Sequence, residues 1–366
     1  MLPEAVAAMT AVLADDFGNP SGVHREARTA RTLLEEARDR IAAVLGAGPH
    51  EVVFTGGGTE AVNLALLATS PKSVAWSAVE HDAVRSRAAA FEREGVASHE
   101  LTVSRNGVLD LDATAAVVRN VDVDVVAVMA VNNEVGTLQP INQLAEILAK
   151  LDRRPSLVVD AVQALSWLDL RPLTSVCDFL AISGHKFGGP KGVGALVVRN
   201  GQKIRPLIYG GGQEQDRRSG TQNVAGIVGM AVAAEITDRT RQHHVTVLAA
   251  LRDRFVDELV SSIDGCIETV PRAYKVAGNA HVCIPGVESE ELLVMIDHRG
   301  IAASAGSACA SGALHLSPVL TAMTVPVDLA RGSLRFTLGA STTAQDVAEA
   351  AAIVRSSVAR LRGVEP

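Results

Sequence analysis

The stretch FLAISGHKFGGPKGVGALVV, residues 179–198, contains two apolar runs on either side of a glycine-rich turn. The runs are 179–183 and 194–198, and the turn between them carries Lys186. Near-continuous apolar runs of this length are typical of strands that are buried on both faces of a sheet. The stretch therefore predicts two core strands joined by a turn that presents a lysine.

Upstream of this stretch, similar apolar runs alternate with amphipathic helical patterns. The predicted strands are 51–54, 73–79, 123–131 and 157–161. The predicted helices are 59–68, 81–94, 111–119 and 141–151. This alternation favours an α/β domain with a mostly parallel sheet.

After about residue 225 the pattern changes to that of a smaller α+β domain. The predicted elements are a long helix over 224–259, a strand at 279–284, a helix at 289–299, a strand at 333–338 and a final helix at 343–361. Ser341 or Thr342 is the expected N-cap of the last helix. The first 17 residues have the apolar spacing of a short amphipathic helix.

Composition excludes several classes of protein. The chain has 366 residues, a net charge of −7 and 48% hydrophobic residues, so it is neither disordered nor a typical nucleic-acid binder. No segment reaches the roughly 18 apolar residues of a membrane span, and the N-terminus lacks the features of a signal peptide. We therefore expect a cytoplasmic protein without membrane or direct nucleic-acid partners.

The four cysteines, Cys177, Cys266, Cys283 and Cys309, are widely spaced and form no CxxC pair. This spacing predicts neither a disulfide framework nor a metal site. Cys309 lies among small and polar residues, an environment that suits a reactive thiol. The other three are expected in the core.

Lys186 follows an apolar strand and lies among glycines, beside His185. A buried lysine amine is easily kept neutral and can then form a Schiff base with an aldehyde cofactor. The alternative is a simple turn with an exposed lysine.

Asp160 ends the apolar run 157–161, where a buried carboxylate needs a partner. The protonated ring nitrogen of pyridoxal phosphate (PLP) would supply one, with an attraction of roughly 4 kcal/mol at about 4 Å before desolvation. The alternatives are a helix N-cap or a core salt bridge. The loop FTGGGTE at 54–60 lies between a strand and a helix and could bind an anion, although glycine-rich loops are a weak indication.

Nine motifs together resemble the group I cysteine desulfurases, PLP enzymes of fold type I in the class V aminotransferase superfamily. They occur in the family's order over nearly the whole chain. The motifs are Gly18-Asn19-Pro20-Ser21, FTGGGTE at 54–60, Glu80-His81, VNNEVG at 131–136, VDAVQ at 159–163, SGHKFGGPKGVGAL at 183–196, GGGQEQDRRSGT at 210–221, SAGSACAS at 304–311 and SLRFTLG at 333–339.

The resemblance implies a large PLP-binding domain over 16–240 with a mostly parallel seven-stranded sheet flanked by helices. A small α+β domain would comprise 241–366 together with the N-terminal segment 1–15. The implied reaction converts L-cysteine to L-alanine and leaves the sulfur on an enzyme cysteine as a persulfide. The implied partners are a second copy of the chain and a sulfur-acceptor protein in iron–sulfur cluster, thio-cofactor or tRNA biosynthesis.

The resemblance also implies a role for each matching residue. Lys186 would hold PLP and move protons, His81 would stack on the ring and assist proton transfer, and Cys309 would accept the sulfur. Asp160 would pair with the ring nitrogen, and Arg335 would bind the substrate carboxylate through its two-pronged guanidinium. The remaining assignments are Asn133 and Gln163 to the ring hydroxyl, Gly58, Thr59, Ser183 and His185 to the phosphate, Thr221 to the phosphate of a second subunit, and Asn19 with Asn133 to the substrate.

The sequence departs from the family pattern at two places, and three other functions remain possible. The family usually has an Ala-Thr-Thr-Pro segment before the Leu-Pro-Glu found here at 2–4, and some relatives have a longer C-terminal tail that docks a scaffold protein. We expect one wall of the substrate pocket to be missing and the longer tail to be short or absent. The alternative functions are a selenocysteine lyase, an aminotransferase, and a sulfur-transfer scaffold with weakened catalysis.

Overall fold

The computed structural model describes residues 1–199, 201–306 and 316–364. Its chain divides into two units. Unit 1 comprises Met1–Leu101, Leu111–Ala130 and Pro140–Arg241. Unit 2 comprises Thr102–Asp110, Val131–Gln139 and Gln242–Pro366.

Unit 1 contains a seven-stranded sheet whose central strands are buried along their whole length. The strands are β1 (Val52–Thr55), β2 (Ser73–Ser77), β3 (Ala97–Leu101), β4 (Val125–Met129), β5 (Ser156–Asp160), β6 (Phe179–Ser183) and β7 (Gly194–Val198). Their order is β1-β7-β6-β5-β4-β2-β3, and β7 alone runs against its neighbours. The prediction of a mostly parallel seven-stranded sheet is confirmed.

Helices flank this sheet. They are α1 (Pro3–Asp15), α2 (Arg25–Leu45), α3 (Gly58–Leu67), α4 (Asp82–Arg93), α5 (Leu111–Asn120), α6 (Ile141–Leu148), α7 (Arg171–Val176) and α8 (Val224–Ser262). The first part of α8 belongs to unit 1 and its last part to unit 2. No described helix is long and apolar enough to cross a membrane.

Unit 2 contains a three-stranded antiparallel sheet in the order β10-β9-β8. Its strands are β8 (Ile267–Glu268), β9 (Asn279–Cys283) and β10 (Ser333–Thr337). Its helices are α9 (Ser289–Asp297), α10 (Pro318–Ala322), α11 (Val327–Ala330) and α12 (Ala344–Leu361). The predicted α+β character of the C-terminal region is confirmed.

The division of the chain differs from the predicted boundaries. Residues 1–15 belong to unit 1, because Leu2 donates a backbone hydrogen bond to Gly188 at 2.8 Å and the side chain of Met9 lies directly against Gly229. Residues 102–110 and 131–139 belong to unit 2 although they lie early in the sequence.

The N-cap of the last helix is Thr343, one residue beyond the expected pair. Thr343 and Asp346 form a reciprocal capping box, in which the Thr343 hydroxyl accepts from the Asp346 N–H at 3.1 Å. Such a box satisfies two N–H groups at once, which a cap at Ser341 or Thr342 would not do here. Cys177, Cys266 and Cys283 are free thiols in the core, as predicted.

Candidate functional site

Six of the seven strands of unit 1 run in the same direction, so their carboxyl ends lie at one edge of the sheet. Strand β1 shares this direction because both β1 and β6 are antiparallel to β7. Ligands of open α/β sheets bind at this edge. Four of the sequence motifs follow or end its strands: the loop at 56–58, the pair at 80–81, Asp160 and the turn at 184–186.

Asp160 is the last residue of β5 and is 6% exposed. Its Oδ1 accepts a hydrogen bond from the Val162 N–H at 2.9 Å. Desolvation raises the pKa of Asp160, while this hydrogen bond and the charges of His81 and Lys186 oppose the increase. The prediction that Asp160 is a buried carboxyl at a strand end is confirmed.

Glu80 is a second buried carboxyl at the same edge, and the sequence analysis assigns it no role. It is 2% exposed, and its Oε1 accepts from the Met129 N–H at 2.6 Å. Burial, and then the charge of Asp160, raise the pKa of Glu80 well above its ordinary value. Nothing in the sequence around Glu80 indicates that this acidic side chain is buried.

His81 is the N-cap of α4, which fixes the orientation of its ring. Its Nδ1 accepts from the Ala83 N–H at 3.0 Å. A neutral imidazole with an accepting Nδ1 carries its proton on Nε2. The cap therefore leaves Nε2 as the nitrogen that can hold or move a proton toward a ligand.

The glycine-rich loop after β1 leads into the N-terminus of α3, where unpaired N–H groups favour an anion. Gly57 has φ +152°, and a Cβ on Gly58 would lie 2.5 Å from Val162 Cγ2. The loop therefore accommodates only glycine at residue 58. Thr59, in the first turn of α3, is exposed.

Ser183 and His185 form a polar pair at the end of β6. The Ser183 hydroxyl and His185 Nδ1 are 3.0 Å apart. Desolvation and the charges of Lys186 and Lys191 lower the pKa of His185, which keeps its ring neutral at neutral pH. The pair thus presents a hydroxyl and an uncharged imidazole.

Lys186 lies in a short 3-10 turn directly after β6, where the sequence analysis places it. Its side chain is exposed in the described chain, so the expectation of a buried amine is wrong. Strand β6 ends at Ser183, and both His185 and Lys186 in the turn that follows are exposed. The amine still acts electrostatically on Asp160.

The loop that carries Thr221 is anchored by residues that the sequence analysis does not single out. Arg38 on α2 donates two hydrogen bonds to Glu214, at 2.8 and 3.0 Å, and the Phe54 N–H donates a third at 3.0 Å. Desolvation opposes ionisation, yet the Arg38 guanidinium holds the pKa of Glu214 below its ordinary value. Thr221 itself is exposed.

The backbone of this loop is strained at its anchor. Glu214, Gln215 and Asp216 have φ values of 51°, 58° and 62°, in the left-handed region. Non-glycine residues persist there only when their surroundings over-determine the conformation. The buried Arg38–Glu214 ion pair holds the loop in this conformation. Arg218 adds a second anchor by donating a hydrogen bond to Glu60 at 2.8 Å.

In unit 2, Arg335 occupies the middle of β10. Its backbone pairs with Ser304 on one side, through bonds of 2.7 and 3.1 Å, and with His281 of β9 on the other. Its Nη1 donates to the Asn133 carbonyl at 2.6 Å. Asn133 Oδ1 is buried and has no hydrogen-bond partner among the described residues, so it is able to accept from a ligand.

Two basic side chains, Lys275 and His281, are also buried at the same small sheet. Lys275 is buried with its Nζ 2.5 Å from Glu268 Oε1, and desolvation lowers its pKa. His281 is fully buried, and desolvation together with the charges of Lys275 and Arg335 lowers its pKa to about 3. Its ring is therefore neutral, and its Nδ1 lies 2.7 Å from the Thr269 hydroxyl.

Cys309 lies outside the described residues. Described residues near both ends of its segment lie close to Glu134. Ser317 Oγ donates to Glu134 Oε2 at 2.5 Å, and a Cβ on Gly306 would lie 2.7 Å from the same oxygen. Glu134 belongs to the motif at 131–136 and was not predicted to have a role.

The remaining candidates are Asn19, which is exposed, and Gln163, which is half-buried after β5. Asn19 Oδ1 accepts from the Ser21 N–H at 3.0 Å, so it forms a local turn. Within the described ranges, no group of three or more His, Cys, Asp or Glu side chains could hold a metal ion.

The fold and the carboxyl edge define a class of protein, the PLP enzymes of fold type I. The chain matches the family described as Aminotransferase class-V over residues 1–349. It therefore belongs to the class-V aminotransferase family, whose members depend on PLP.

Individual relatives cover nearly the whole chain. It is 40% identical over 369 residues to the cysteine desulfurase IscS of Dictyoglomus turgidum, covering 99% of this chain and 93% of that protein. It is 40% identical over 379 residues to an IscS-like cysteine desulfurase of Mycobacterium tuberculosis, covering 99% and 94%. A solved structure of a NifS-like protein has a TM-score of 0.92 and 30% identity, covering 98% of this chain and 96% of that one.

The residues at the carboxyl edge fit PLP. The buried Asp160 carboxyl suits a ring nitrogen, and Lys186 on the adjacent turn suits an aldehyde carbon. The N-terminus of the ten-residue α3, the Ser183 hydroxyl and the neutral His185 ring suit a phosphate. A side chain at residue 58 would clash with Val162, so only glycine fits there. Because Gly58 has no side chain, the approach to the N-terminus of α3 stays open.

Proposed function

We propose that this protein is a cysteine desulfurase that converts L-cysteine to L-alanine and transfers the sulfur to Cys309 as a persulfide. The observation that carries the proposal is the buried Asp160 at the carboxyl edge, beside the turn that bears Lys186. The relatives at 40% identity, both named cysteine desulfurases, support the choice of substrate. PLP, when bound, supplies an electron sink that the side chains themselves lack.

The chain's own residues then divide the work. Asp160 keeps a negative charge at the ring nitrogen, and Lys186 binds the cofactor and moves a proton at its Nζ. His81 holds a proton at Nε2, the nitrogen that its capping bond leaves available. Arg335 binds the substrate carboxylate, for which a guanidinium offers two parallel N–H groups.

The sulfur step balances without an external oxidant. The Cys309 thiolate attacks the sulfur atom of the substrate and forms a new S–S bond. The carbon–sulfur bond breaks with its electron pair on carbon, which takes up a proton and becomes the methyl group of alanine. The products are L-alanine and an enzyme persulfide, which a sulfur-acceptor protein then consumes in iron–sulfur cluster, thio-cofactor or tRNA biosynthesis. We place this reaction in the cytoplasm.

The decisive experiment follows the sulfur and the alanine in the full-length, PLP-loaded protein. The wild type releases alanine, and mass spectrometry without reductant finds the added sulfur on the peptide that contains Cys309. Cys309→Ser still binds PLP and cysteine but loses alanine formation about a thousandfold or more, since a hydroxyl accepts sulfur poorly. Lys186→Ala loses both turnover and the borohydride-reducible bond to PLP.

Three buried thiols provide the control. Cys177, Cys266 and Cys283 changed singly to Ala should leave alanine formation unchanged. Burial raises the pKa of Cys177 and Cys266 to about 12, so neither is a thiolate at neutral pH. Sulfur on any of these three, or full alanine formation by Cys309→Ser, would indicate a lyase that works without a protein thiol.

We also propose that the active protein is a homodimer in which Thr221 reaches the phosphate of the second copy. In unit 1, Phe17 and Val23 are 84% and 86% exposed, and Tyr209 near the Thr221 loop is 70% exposed. A contiguous exposed apolar patch favours a protein interface, and we propose that these side chains belong to one. Sedimentation of the PLP-loaded protein should give a dimer, and Phe17→Glu should weaken it. A fully active monomer would contradict the proposal.

A further inference from the structure

Glu80 and Asp160 approach the same strand end from opposite sides. In the sheet, β4 lies between β2, which precedes Glu80, and β5, which ends at Asp160. Glu80 Oε1 accepts from the N–H of Met129, the last residue of β4. Met129 is also the register partner of Asp160, and the Ala130 N–H donates to the Asp160 carbonyl at 2.8 Å. Two buried carboxyls therefore interact at one place.

The two carboxyls have unequal support for a negative charge. Asp160 receives the Val162 N–H and the field of the Lys186 ammonium. Glu80 receives the Met129 N–H, while its Oε2 is buried without a hydrogen-bond partner among the described residues. Two carboxylates in one buried site cannot both ionise, so the pair retains a proton. The better supported charge is that of Asp160.

We propose that Glu80 is a positioning residue that carries the proton of this pair and thereby keeps Asp160 negatively charged. The inference rests on the proposed function, in which Asp160 pairs with the cofactor's ring nitrogen. An ionised Glu80 would repel Asp160 and favour its protonation, which would remove the partner of that nitrogen. The raised pKa of Glu80, caused by burial and by Asp160, agrees with a neutral acid at neutral pH.

Infrared spectroscopy of the full-length protein, with and without PLP, tests where the proton lies. Wild type at neutral pH should show the carbonyl band of a protonated carboxylic acid. Glu80→Gln, which is neutral and retains the acceptor for the Met129 N–H, should lose that band. Glu92→Gln, an exposed change on the following helix α4, should keep it.

The stability of the PLP-free protein gives a second readout. A folded protein that binds a proton more tightly than the unfolded chain loses stability as pH rises above the ordinary glutamate pKa. Glu80→Gln removes that proton. The ratio of its folding equilibrium constant to that of the wild type should therefore increase by up to about tenfold per pH unit above about pH 4.3. Glu92→Gln should follow the wild type.

The outcomes are distinguishable. A wild-type spectrum without any acid band at neutral pH overturns the inference, whether or not the variant folds. An acid band that persists in Glu80→Gln, or a stability difference that does not vary with pH, overturns it as well. Asp160→Asn tests the proposed function separately: if it keeps the absorption spectrum and affinity of bound PLP, the role of Asp160 is wrong, while the band still assigns the proton.

Discussion

The carboxyl edge of the sheet in unit 1 buries acidic side chains, whereas the small sheet of unit 2 and its surroundings bury basic ones. At the carboxyl edge the buried pair is acidic, Glu80 and Asp160. In the small sheet the buried groups are basic, Lys275 and His281, and Arg335 lies beside them. Burying a charge is costly unless it has a partner. Lys275 has such a partner in Glu268, and His281 stays neutral.

The two regions also respond to pH in opposite directions. Burial raises the pKa of Glu80, so its contribution to stability decreases as pH rises. Burial and neighbouring cations lower the pKa of His281 to about 3, so its contribution decreases as pH falls. The acidic edge suits the cationic ring nitrogen of PLP. The basic sheet suits the carboxylate of an amino acid.

Among the substitutions that test this comparison, we expect the largest effect at Arg335. Arg335→Lys keeps the positive charge but replaces the two-pronged guanidinium by a single ammonium. Hydrogen bonds between charged groups contribute about 1.5–3 kcal/mol, so the KM for cysteine should increase by about 10- to 100-fold. Steady-state kinetics of alanine formation measures this, and kcat should change less than KM.

Arg331→Lys is the matched control, since Arg331 precedes β10 and its side chain is exposed. Its pairing with Glu288 at the surface should tolerate the change without an effect on KM. A normal KM for Arg335→Lys would show that substrate binding does not depend on the guanidinium fork. The basic character of the small sheet would then be structural only.

Much of the fold follows from the sequence pattern. The elements that were not predicted were missed for physical reasons. Strands β6 and β7 have the predicted bounds, because strands buried on both faces are apolar throughout. Strand β3 was not predicted, since it is a sheet edge whose residues, ASHEL, are largely polar and only one of them is buried. Helix α2 was not predicted either, because four of its nine buried residues are alanines and many charged residues lie between them.

Some residues of the candidate site could likewise be predicted from the sequence, and others could not. Asp160 could be predicted from an acid at the end of an apolar run, and this run is fully buried up to the residue itself. Glu80 and Glu214 could not, because their burial depends on partners far away in the sequence: Met129 for one, Arg38 for the other. Lys186 was predicted in the right turn but with the wrong exposure, since a turn beyond a strand end is no longer covered by the sheet.

The smaller expected effect concerns His281 and the stability of the protein in acid. An ordinary histidine has a pKa near 6.5, whereas burial and the charges of Lys275 and Arg335 hold that of His281 at about 3. Between these values the unfolded chain binds a proton that the folded chain does not, so stability is lost as pH falls below about 6.5. His281→Gln can still hydrogen-bond the Thr269 hydroxyl but takes up no proton. Urea unfolding from about pH 6.5 to pH 5 should therefore show a loss of stability smaller by about 1–2 kcal/mol than in the wild type.

His298→Gln, an exposed change at the end of α9, should leave the wild-type pH dependence intact. An unchanged acid sensitivity in His281→Gln would mean that His281 is protonated in the folded protein, and the small sheet would then hold more positive charge than its hydrogen bonds indicate.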